Sequence, residues 1–481
     1  MILTGAQLAA LAPFAVLALA AIVVMLLTAF AGRRDPSAWA TVAGLVATLA
    51  TLPFAWEVAP QQVTPLLRVD GAALLYTGLL AASTLGVAGL SAAYLHDARE
   101  RNGELYILLL TAALGGTVLA ASSHFASLFL GFELLSVSLF ALLAYVRDLR
   151  PGLEAGAKYL VLSGVSSSFL LFGIALVYAE FGTLEFATVA ERLAGEGAQG
   201  VYLAGGVALL VAGVAFKLSL VPFHMWTPDV YQGAPAPITA FLATVSKGAV
   251  FVVLLRYFLA AGAFDYSPLL WALTLLAAGS MLLGNVLALL QQNVKRILAY
   301  SSIAHLGYLL VAFIAGGAVA VESASYYLAA YFASTIGAFG VVAVLSRPRD
   351  GGEREQLRDY RGLFWRRPWL AGVFSLMLLS LAGIPLTMGF VAKFYVVAAS
   401  VEASLWLLLA LVIVGSAIGL FYYLRVLVTL YLAPDDGSRA RQAVAVPAAG
   451  HAVLAAATVV VVWLGLYPAP IVDLIRRVAL P

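Results

Sequence analysis

Runs of about twenty apolar residues recur along this chain, and about twenty is the length a helix needs to cross a bilayer. About fourteen such runs can be counted, near 9–29, 38–57, 71–94, 105–122, 125–146, 157–179, 202–222, 237–260, 269–290, 297–315, 325–345, 370–399, 404–431 and 450–467. A backbone facing lipid finds no water to bond, so each run must close its hydrogen bonds internally as a helix. The runs do not alternate apolar with polar residues, which excludes a β-barrel. The expected fold class is an all-α polytopic membrane protein. Composition points the same way: 63% of the residues are hydrophobic and 11% are charged, where a soluble domain carries about 25% charged residues. That balance excludes a soluble enzyme and a disordered chain. A net charge of +3 offers nucleic acid no basic field. Without cysteine, disulfides, cysteine-bound iron–sulfur clusters and thiolate zinc sites are excluded. The first run has neither basic residues before it nor a small-residue cleavage site, so it reads as a retained helix rather than a signal peptide.

Orientation follows from where lysine and arginine fall between the runs. Odd-numbered loops carry Arg33, Arg34, Arg99, Arg101, Arg147, Arg150, Lys295, Arg296 and the group Arg347, Arg349, Arg354, Arg358, Arg361, Arg366 and Arg367. Even-numbered loops carry little beyond Arg68, Arg192 and Arg256. The odd loops are therefore expected on the cytoplasmic side and both termini on the outer, periplasmic side. Arg476 and Arg477 go against this trend, and a short interfacial tail after the last span would account for them. No soluble domain is expected. The longest polar stretches are 181–200, 346–368 and 433–448, and the middle one reads either as a solvated connector or as a docking surface for a partner subunit.

The sharpest functional signal is the division of labour between the two basic residues. Five lysines stand against 22 arginines, and four of the lysines, Lys158, Lys217, Lys247 and Lys393, fall inside spans. Arginine cannot release its proton in a protein, whereas a buried lysine can. An ionisable group at a helix centre costs at least ~2.5–3.5 kcal/mol, so such groups are functional by default. Lys247 lies about 14–15 Å along its helix from Pro237 and from Arg256, near the midplane. Glu133 is the carboxylate in mid-span, and it would prefer neutrality unless a lysine pairs with it. Lys158 sits nearer a helix start, where it can also snorkel to the interface.

Two apolar runs are too long for one crossing. Residues 197–228 and 368–401 hold one charge each, Lys217 and Lys393. As straight helices they would reach about 48 and 51 Å against a hydrocarbon core of ~30 Å. Each carries a breaker: Pro222 in the first, Gly383 and Pro385 in the second. Interrupted spans in matching halves point to a transporter's ion site. Spans 4–8 and 9–13 match by ordinal as five-helix units, and an odd number of helices inverts the second unit in the membrane. The division this gives is 1–104 for the first three helices, 105–262 and 263–432 for the two inverted repeats, and 433–481 for the last helix and tail. The second helix carries Glu133 in one unit and His305 in the other; the fourth carries Lys217 and Lys393; the fifth carries Lys247 with no mid-span charge opposite. The repeat is imperfect, since Lys217 precedes its breaker and Lys393 follows its own. His224 and His305 read either as hydrogen-bonded packing residues or as relay members, since histidine titrates at about 6.5. Five scattered histidines show no metal-ligand spacing.

Four segments carry a family resemblance: Phe216-Lys217-Leu218-Ser219-Leu220-Val221-Pro222-Phe223-His224, Trp226-Thr227-Pro228-Asp229-Val230-Tyr231-Gln232-Gly233-Ala234-Pro235-Ala236-Pro237, Tyr300-Ser301-Ser302-Ile303-Ala304-His305-Leu306-Gly307-Tyr308 and Ser380-Leu381-Ala382-Gly383-Ile384-Pro385. They resemble the antiporter-like subunits of bacterial NADH:quinone oxidoreductase, the respiratory complex I, over nearly the whole chain. The stretch from Thr227 to Pro237 resembles the subunit N family within them. That resemblance implies a proton-translocating membrane-arm subunit of a respiratory-chain translocase, in the bacterial cytoplasmic (inner) membrane. It implies that Glu133 tunes the nearby lysine, that Lys217 lies on the broken seventh helix and Lys247 at the centre of the eighth, and that Lys393 is the terminal member on the broken twelfth. Lys158, His224 and His305 are candidate relay members beside these four. It also implies no redox cofactor in this chain, with NADH, FMN, iron–sulfur clusters and quinone in partner subunits. The expected partners are neighbouring antiporter-like and small membrane-arm subunits and the lipid bilayer. Two other readings stand beside it: a subunit of a multisubunit cation/proton antiporter, and a structural scaffold of the membrane arm.

Overall fold

The computed structural model describes residues 3–30, 36–96, 102–195, 200–260, 267–346, 353–434 and 446–479. Among them, thirteen helices are long and apolar enough to cross a membrane. They are α1 (Gly5–Phe30), α2 (Ser37–Val58), α3 (Gly71–Tyr94), α4 (Gly103–Ala121), α5 (Phe125–Leu143), α6 (Arg150–Phe181), α8 (Val201–Leu218), the joined pair α10 (Ala236–Phe241) and α11 (Lys247–Ala260), α12 (Ser267–Leu289), α13 (Val294–Ile314), α14 (Gly317–Leu345), α18 (Trp406–Tyr431) and α19 (Ala448–Leu466). A fourteenth crossing is made of two shorter pieces, α16 (Pro368–Ala382) and α17 (Met388–Glu402). Between them lie short helices: α7 (Phe186–Gly195), α9 (Trp226–Gly233), α15 (Leu363–Arg366) and, at the end, α20 (Ala469–Ala479).

Both overlong runs are broken, and by the same device. In the first, α8 ends at Ser219 in the left-handed region (φ 62°), and the Leu220 amide turns back to the Ala215 carbonyl at 2.8 Å. In the second, α16 ends at Gly383 (φ 85°), and the Ile384 amide turns back to Leu379 at 3.0 Å. These closures satisfy the carbonyls that a helix end leaves open. The chain then restarts as α9 in one case and α17 in the other.

The packing order repeats as well. Helix α4 packs on α5, α5 on α6, α6 on α8, and α11 returns to α4. Likewise α12 packs on α13, α13 on α14, α14 on α16 and α17, and α18 returns to α12. Glycines set the tightest crossing in each set. A Cβ on Gly115 would come within 2.7 Å of the Leu135 backbone nitrogen, and one on Gly284 within 2.8 Å of that of Ala304. Small residues at these crossings are what close helix packing in lipid requires. At the centre, α10–α11, α13 and α14 are buried on nearly every side, as helices apolar all round must be.

Three features lie outside the helical reading of the sequence. A small antiparallel hairpin pairs β1 (Gln61–Thr64) with β2 (Leu67–Val69) between the second and third spans, with Val63 and Val69 buried. Its alternation of apolar and polar residues is too short to register as a run. The stretch 181–200 contains α7. The tail is ordered as α20, which packs against α3 and α14 and pairs Arg476 with Glu322 at 2.9 and 3.0 Å.

Candidate functional site: a row of buried lysines

Lys217 lies in the last turn of α8, two residues before Ser219. Its side chain is 1% exposed and its ammonium donates to Ser136 Oγ at 2.7 Å. The rings of Phe132 and Tyr159 lie 4.8 and 5.0 Å from the nitrogen, a distance at which their faces attract a cation. The Ser136 hydroxyl in turn donates a hydrogen bond to the Phe132 carbonyl at 2.6 Å. Glu133 is three residues before Ser136 on α5, but it turns away: it is half-buried on the outer side, beside exposed Leu130 and Val137, and accepts from Ser167 of α6 at 2.5 Å. Glu133 and Lys217 therefore make no direct ion pair.

Lys247 follows a π-helical turn, Leu242–Ser246. It is 1% exposed, and its ammonium donates to Ser302 Oγ of α13 at 2.8 Å. The same oxygen accepts from Tyr331 at 2.7 Å, and the Tyr231 hydroxyl stands 3.4 Å away. Between Lys217 and Lys247 lie Tyr159, Ser163 and Ser246. Their hydroxyls are buried and lie close to one another. Beyond Lys247, His305 shares hydrogen bonds with the Tyr327 hydroxyl at Nδ1 (2.7 Å) and the Tyr423 hydroxyl at Nε2 (3.2 Å), and Tyr423 also bonds Ser301. The His305 ring lies 5.4 Å from that of Tyr331. A narrow cavity bounded by His305, Tyr331, Ser334, Ser380 and Ala392 runs from there to the second helix break.

Lys393 sits on α17 and reaches back across that break. Its ammonium donates to Ala382 O, the last carbonyl of α16, at 2.8 Å, and it lies 5.3 Å from the Tyr308 ring. A helix C-terminus favours a cation. The side chain passes so close that a Cβ on Gly383 would meet it at 2.6 Å.

The other sequence candidates stand apart from this row. Lys158 is 41% exposed and paired with Glu154 at 2.7 Å and Asp229 at 2.8 Å. Asp229 is shared with Arg296 at 2.8 Å. His224 lies in the turn between α8 and α9, buried, with neither ring nitrogen bonded to protein. Sequence reasoning put Lys295 in a loop, and it is fully buried against Glu353. It also passed over Arg425, which sits inside a span and donates to the carbonyls of Leu289 and Gln291 at 2.8 and 2.6 Å. The serines and tyrosines between the lysines were not singled out, because hydroxyl residues are too common on membrane helices to stand out without the fold. Ser301 and Ser302 were in view only as part of a motif.

The five lysines thus divide by chemistry. Lys158 and Lys295 have carboxylate partners, whereas Lys217, Lys247 and Lys393 are held only by neutral oxygens. No group of three or more His, Cys, Asp or Glu side chains arranged to hold a metal ion occurs among the described residues.

Comparisons with known proteins place the chain in a family. A model of the transmembrane region of the NADH:quinone oxidoreductase/Mrp antiporter family matches residues 122–419, from the start of α5 into α18. The chain belongs to that family. Among its members, NADH-quinone oxidoreductase subunit N of Methylococcus capsulatus is 51% identical over 487 aligned positions, covering 100% of this chain and 97% of the relative. A chain of respiratory complex I from Thermus thermophilus superposes with a TM-score of 0.81 at 34% identity, over 96% of this chain and 98% of the other. The fold alone extends further. A chain of the Mrp complex from Dietzia sp. gives a TM-score of 0.86 at 21% identity, covering 99% of this chain and 97% of that one. Both solved chains come from complexes, respiratory complex I in one case and Mrp in the other.

Proposed function

We propose that this chain is a proton-translocating membrane-arm subunit of NADH:quinone oxidoreductase in which protons move from Lys217 to Lys247 to Lys393. The observation that carries the reading is that, among the described residues, no carboxylate pairs with these three ammonium groups, whereas the other two lysines are ion-paired. An ammonium desolvated without a counter-ion is costly, so Lys217 and Lys247 can each pass a proton to the serine hydroxyl they bond, while Lys393, on a backbone carbonyl, ends the row. Tyr159, Ser163 and Ser246 supply the stepping stones between Lys217 and Lys247. Ser302, Tyr331 and His305 supply those between Lys247 and the cavity beside Lys393. Glu133 favours the charged form of Lys217 by its field, and a change in its surroundings shifts where the proton rests. His224, with both nitrogens unengaged, is a side branch at the first break, and Lys158 is an interfacial ion-pair residue.

Moving one charge across 100 mV requires about 2.3 kcal/mol. The driving energy enters from partner subunits, which hold the NADH, FMN, iron–sulfur and quinone chemistry. The repeats span 105–262 and 263–432, flanked by 1–104 and 433–481. The arginine-rich connectors face the cytoplasm and both termini face the periplasm of a bacterial inner membrane, which the asymmetry of the arginines supports.

The test is Lys217→Ala and Lys247→Ala in the assembled complex, with NADH-driven proton uptake and quinone reduction measured in inverted vesicles. Both variants are expected to assemble and to lose at least tenfold in proton uptake. Normal uptake in both would leave the chain a scaffold. Uptake that requires sodium would make it a cation/proton antiporter subunit.

A further inference from the structure

Between α14 and α16, residues 353–357 pack against the start of α13 rather than standing free. Residues 353–357 lie in extended form along the start of α13: the Val294 amide donates to Glu355 O at 2.7 Å and the Leu357 amide to Gln292 O at 2.8 Å. Alternate residues of an extended segment face one way, and here Glu353 and Glu355 both face the hinge between α9 and α10. Glu353 Oε1 accepts from the Ala236 amide, the first residue of α10, at 2.8 Å and from the Tyr94 hydroxyl at 2.7 Å. Its other oxygen pairs with Lys295, which also donates to Ala234 O, the residue that ends α9, at 2.6 Å. Glu355 accepts from Gln232 at 3.1 Å and from Asn293 at 2.7 Å. The Lys295 and Glu353 side chains are 0% and 5% exposed.

The position of this cluster relates it to Lys247. Lys247 follows Ala236 by eleven residues on the same rod of α10, π turn and α11. Ser302, which holds the Lys247 ammonium, follows Lys295 by seven residues on α13. Seven residues is about two turns, so the two share a face. Helix α13 therefore grips the rod twice from one face: at its first residue through Lys295 and Glu353, and at its lysine through Ser302. A buried ion pair that merely holds a fold can often be exchanged for apolar side chains of similar volume, whereas removing one partner is strongly destabilising. Here the carboxylate also satisfies the open amide at a helix start, which no apolar residue can do.

We propose that Lys295 and Glu353 are a positioning pair that fixes the start of the Lys247 helix and so holds the Lys247 ammonium in register with Ser302. The connector of the second five-helix unit thereby sets the geometry of the central lysine of the first. This rests on the role proposed above for Lys247.

The experiment uses Glu353→Ala, Glu353→Gln and the apolar pair Lys295→Met with Glu353→Leu, each in the whole complex in inverted vesicles. Proton uptake per assembled complex is measured with hydrogen exchange of the amides from Ala236 to Ser246. Glu353→Ala is expected to lower uptake at least fivefold and to speed exchange at least tenfold. Glu353→Gln keeps an oxygen facing the Ala236 amide and should recover at least half of the uptake. The apolar pair should assemble but not recover it. If Glu353→Ala fails to assemble, the apolar pair decides. Normal uptake with unchanged exchange in assembled Glu353→Ala, or full recovery by the apolar pair, overturns the proposal. Lys247→Ala run in parallel separates the two readings. If it is impaired while the Glu353 variants are normal, only the positioning role falls; if it pumps normally, both fall.

Discussion

The two broken helices stop by the same backbone closure and place their lysines on opposite sides of it. Lys217 is on the helix that stops, is fully buried, and bonds a serine hydroxyl from α5. Lys393 is on the helix that restarts, is half-buried, and bonds the last carbonyl of the helix that stopped. A hydroxyl can both give and take a proton, whereas a carbonyl can only accept. The first lysine is therefore wired to a neighbouring helix and the second is moored to its own break. Duplication of one architecture did not duplicate its chemistry. The first site suits passing a proton inward, and the second suits holding a cation where the row ends.

The largest test of this contrast is at the second break. A Cβ on Gly389 would fall 1.8 Å from Ser380 O, and only a backbone shift could relieve it. Gly389→Ala is expected to cost about 3 kcal/mol or more, read as a fall in the melting temperature of the assembled complex. Unaltered stability would mean that the second break is not tightly closed. Next comes the partner of each lysine. Ser136→Ala removes the hydroxyl that holds Lys217; a hydrogen bond to a charged group is worth about 1.5–3 kcal/mol, so proton uptake should slow roughly tenfold or more. Ala382→Ser, beside Lys393, keeps the backbone carbonyl and should leave uptake unchanged. Equal effects of the two would erase the distinction between wired and moored lysines.

The last helix of each unit offers a third contrast. Arg256, on α11, pairs with Asp70 at 2.7 and 2.9 Å, whereas Arg425, on α18, bonds only backbone carbonyls. Burial alone would raise the Asp70 carboxyl, but the Arg256 guanidinium, the Ala73 amide and Arg68 together hold it below the ordinary carboxylate range. A carboxylate held low when folded contributes stability above its unfolded pKa, and that stability is lost as pH falls through the folded value. Acid should therefore loosen the α3–α11 end and spare the α12–α18 end, read by hydrogen exchange as a function of pH. Asp70→Asn should remove this dependence and cost about 1–2 kcal/mol. Acid loosening of both ends alike would refute the assignment. The smallest effect expected is at Ser219, a non-glycine residue in the left-handed region whose hydroxyl is buried without a protein partner. Ser219→Gly should stabilise by about 0.5 kcal/mol, measured by thermal melting, whereas Gly383 already has that freedom.

The crossings were legible because their signal is additive: twenty apolar residues in a row leave the backbone no other solution in lipid. The breaks were legible for the same reason, as runs too long for one span around Pro222, Gly383 and Pro385. The lysines stood out because a charge among apolar neighbours is rare. What surrounds them did not stand out. That Glu133 would face Ser167 rather than Lys217 depends on the rotation of α5, and the composition of a helix does not encode its azimuth. Lys295 and Glu353 looked solvated because loop charges usually are. Their burial arises from pairing across 58 residues, which no local pattern carries. The hairpin and α20 were missed because both are too short to stand above the apolar background.

The π turn before Lys247 has an angular consequence. It holds one residue more than the α-helical turns on either side, so every side chain after it is rotated by about 100° from where an unbroken α-helix would carry it. Lys247 is the first residue past this phase shift. The two ends of the rod can therefore answer to different neighbours: the phase of α10 is set by its hinge at Ala236, and that of α11 by the oxygen its ammonium must meet. A single extra residue, with no change of side chain, lets one helix be locked in place at its start and still aim its charge.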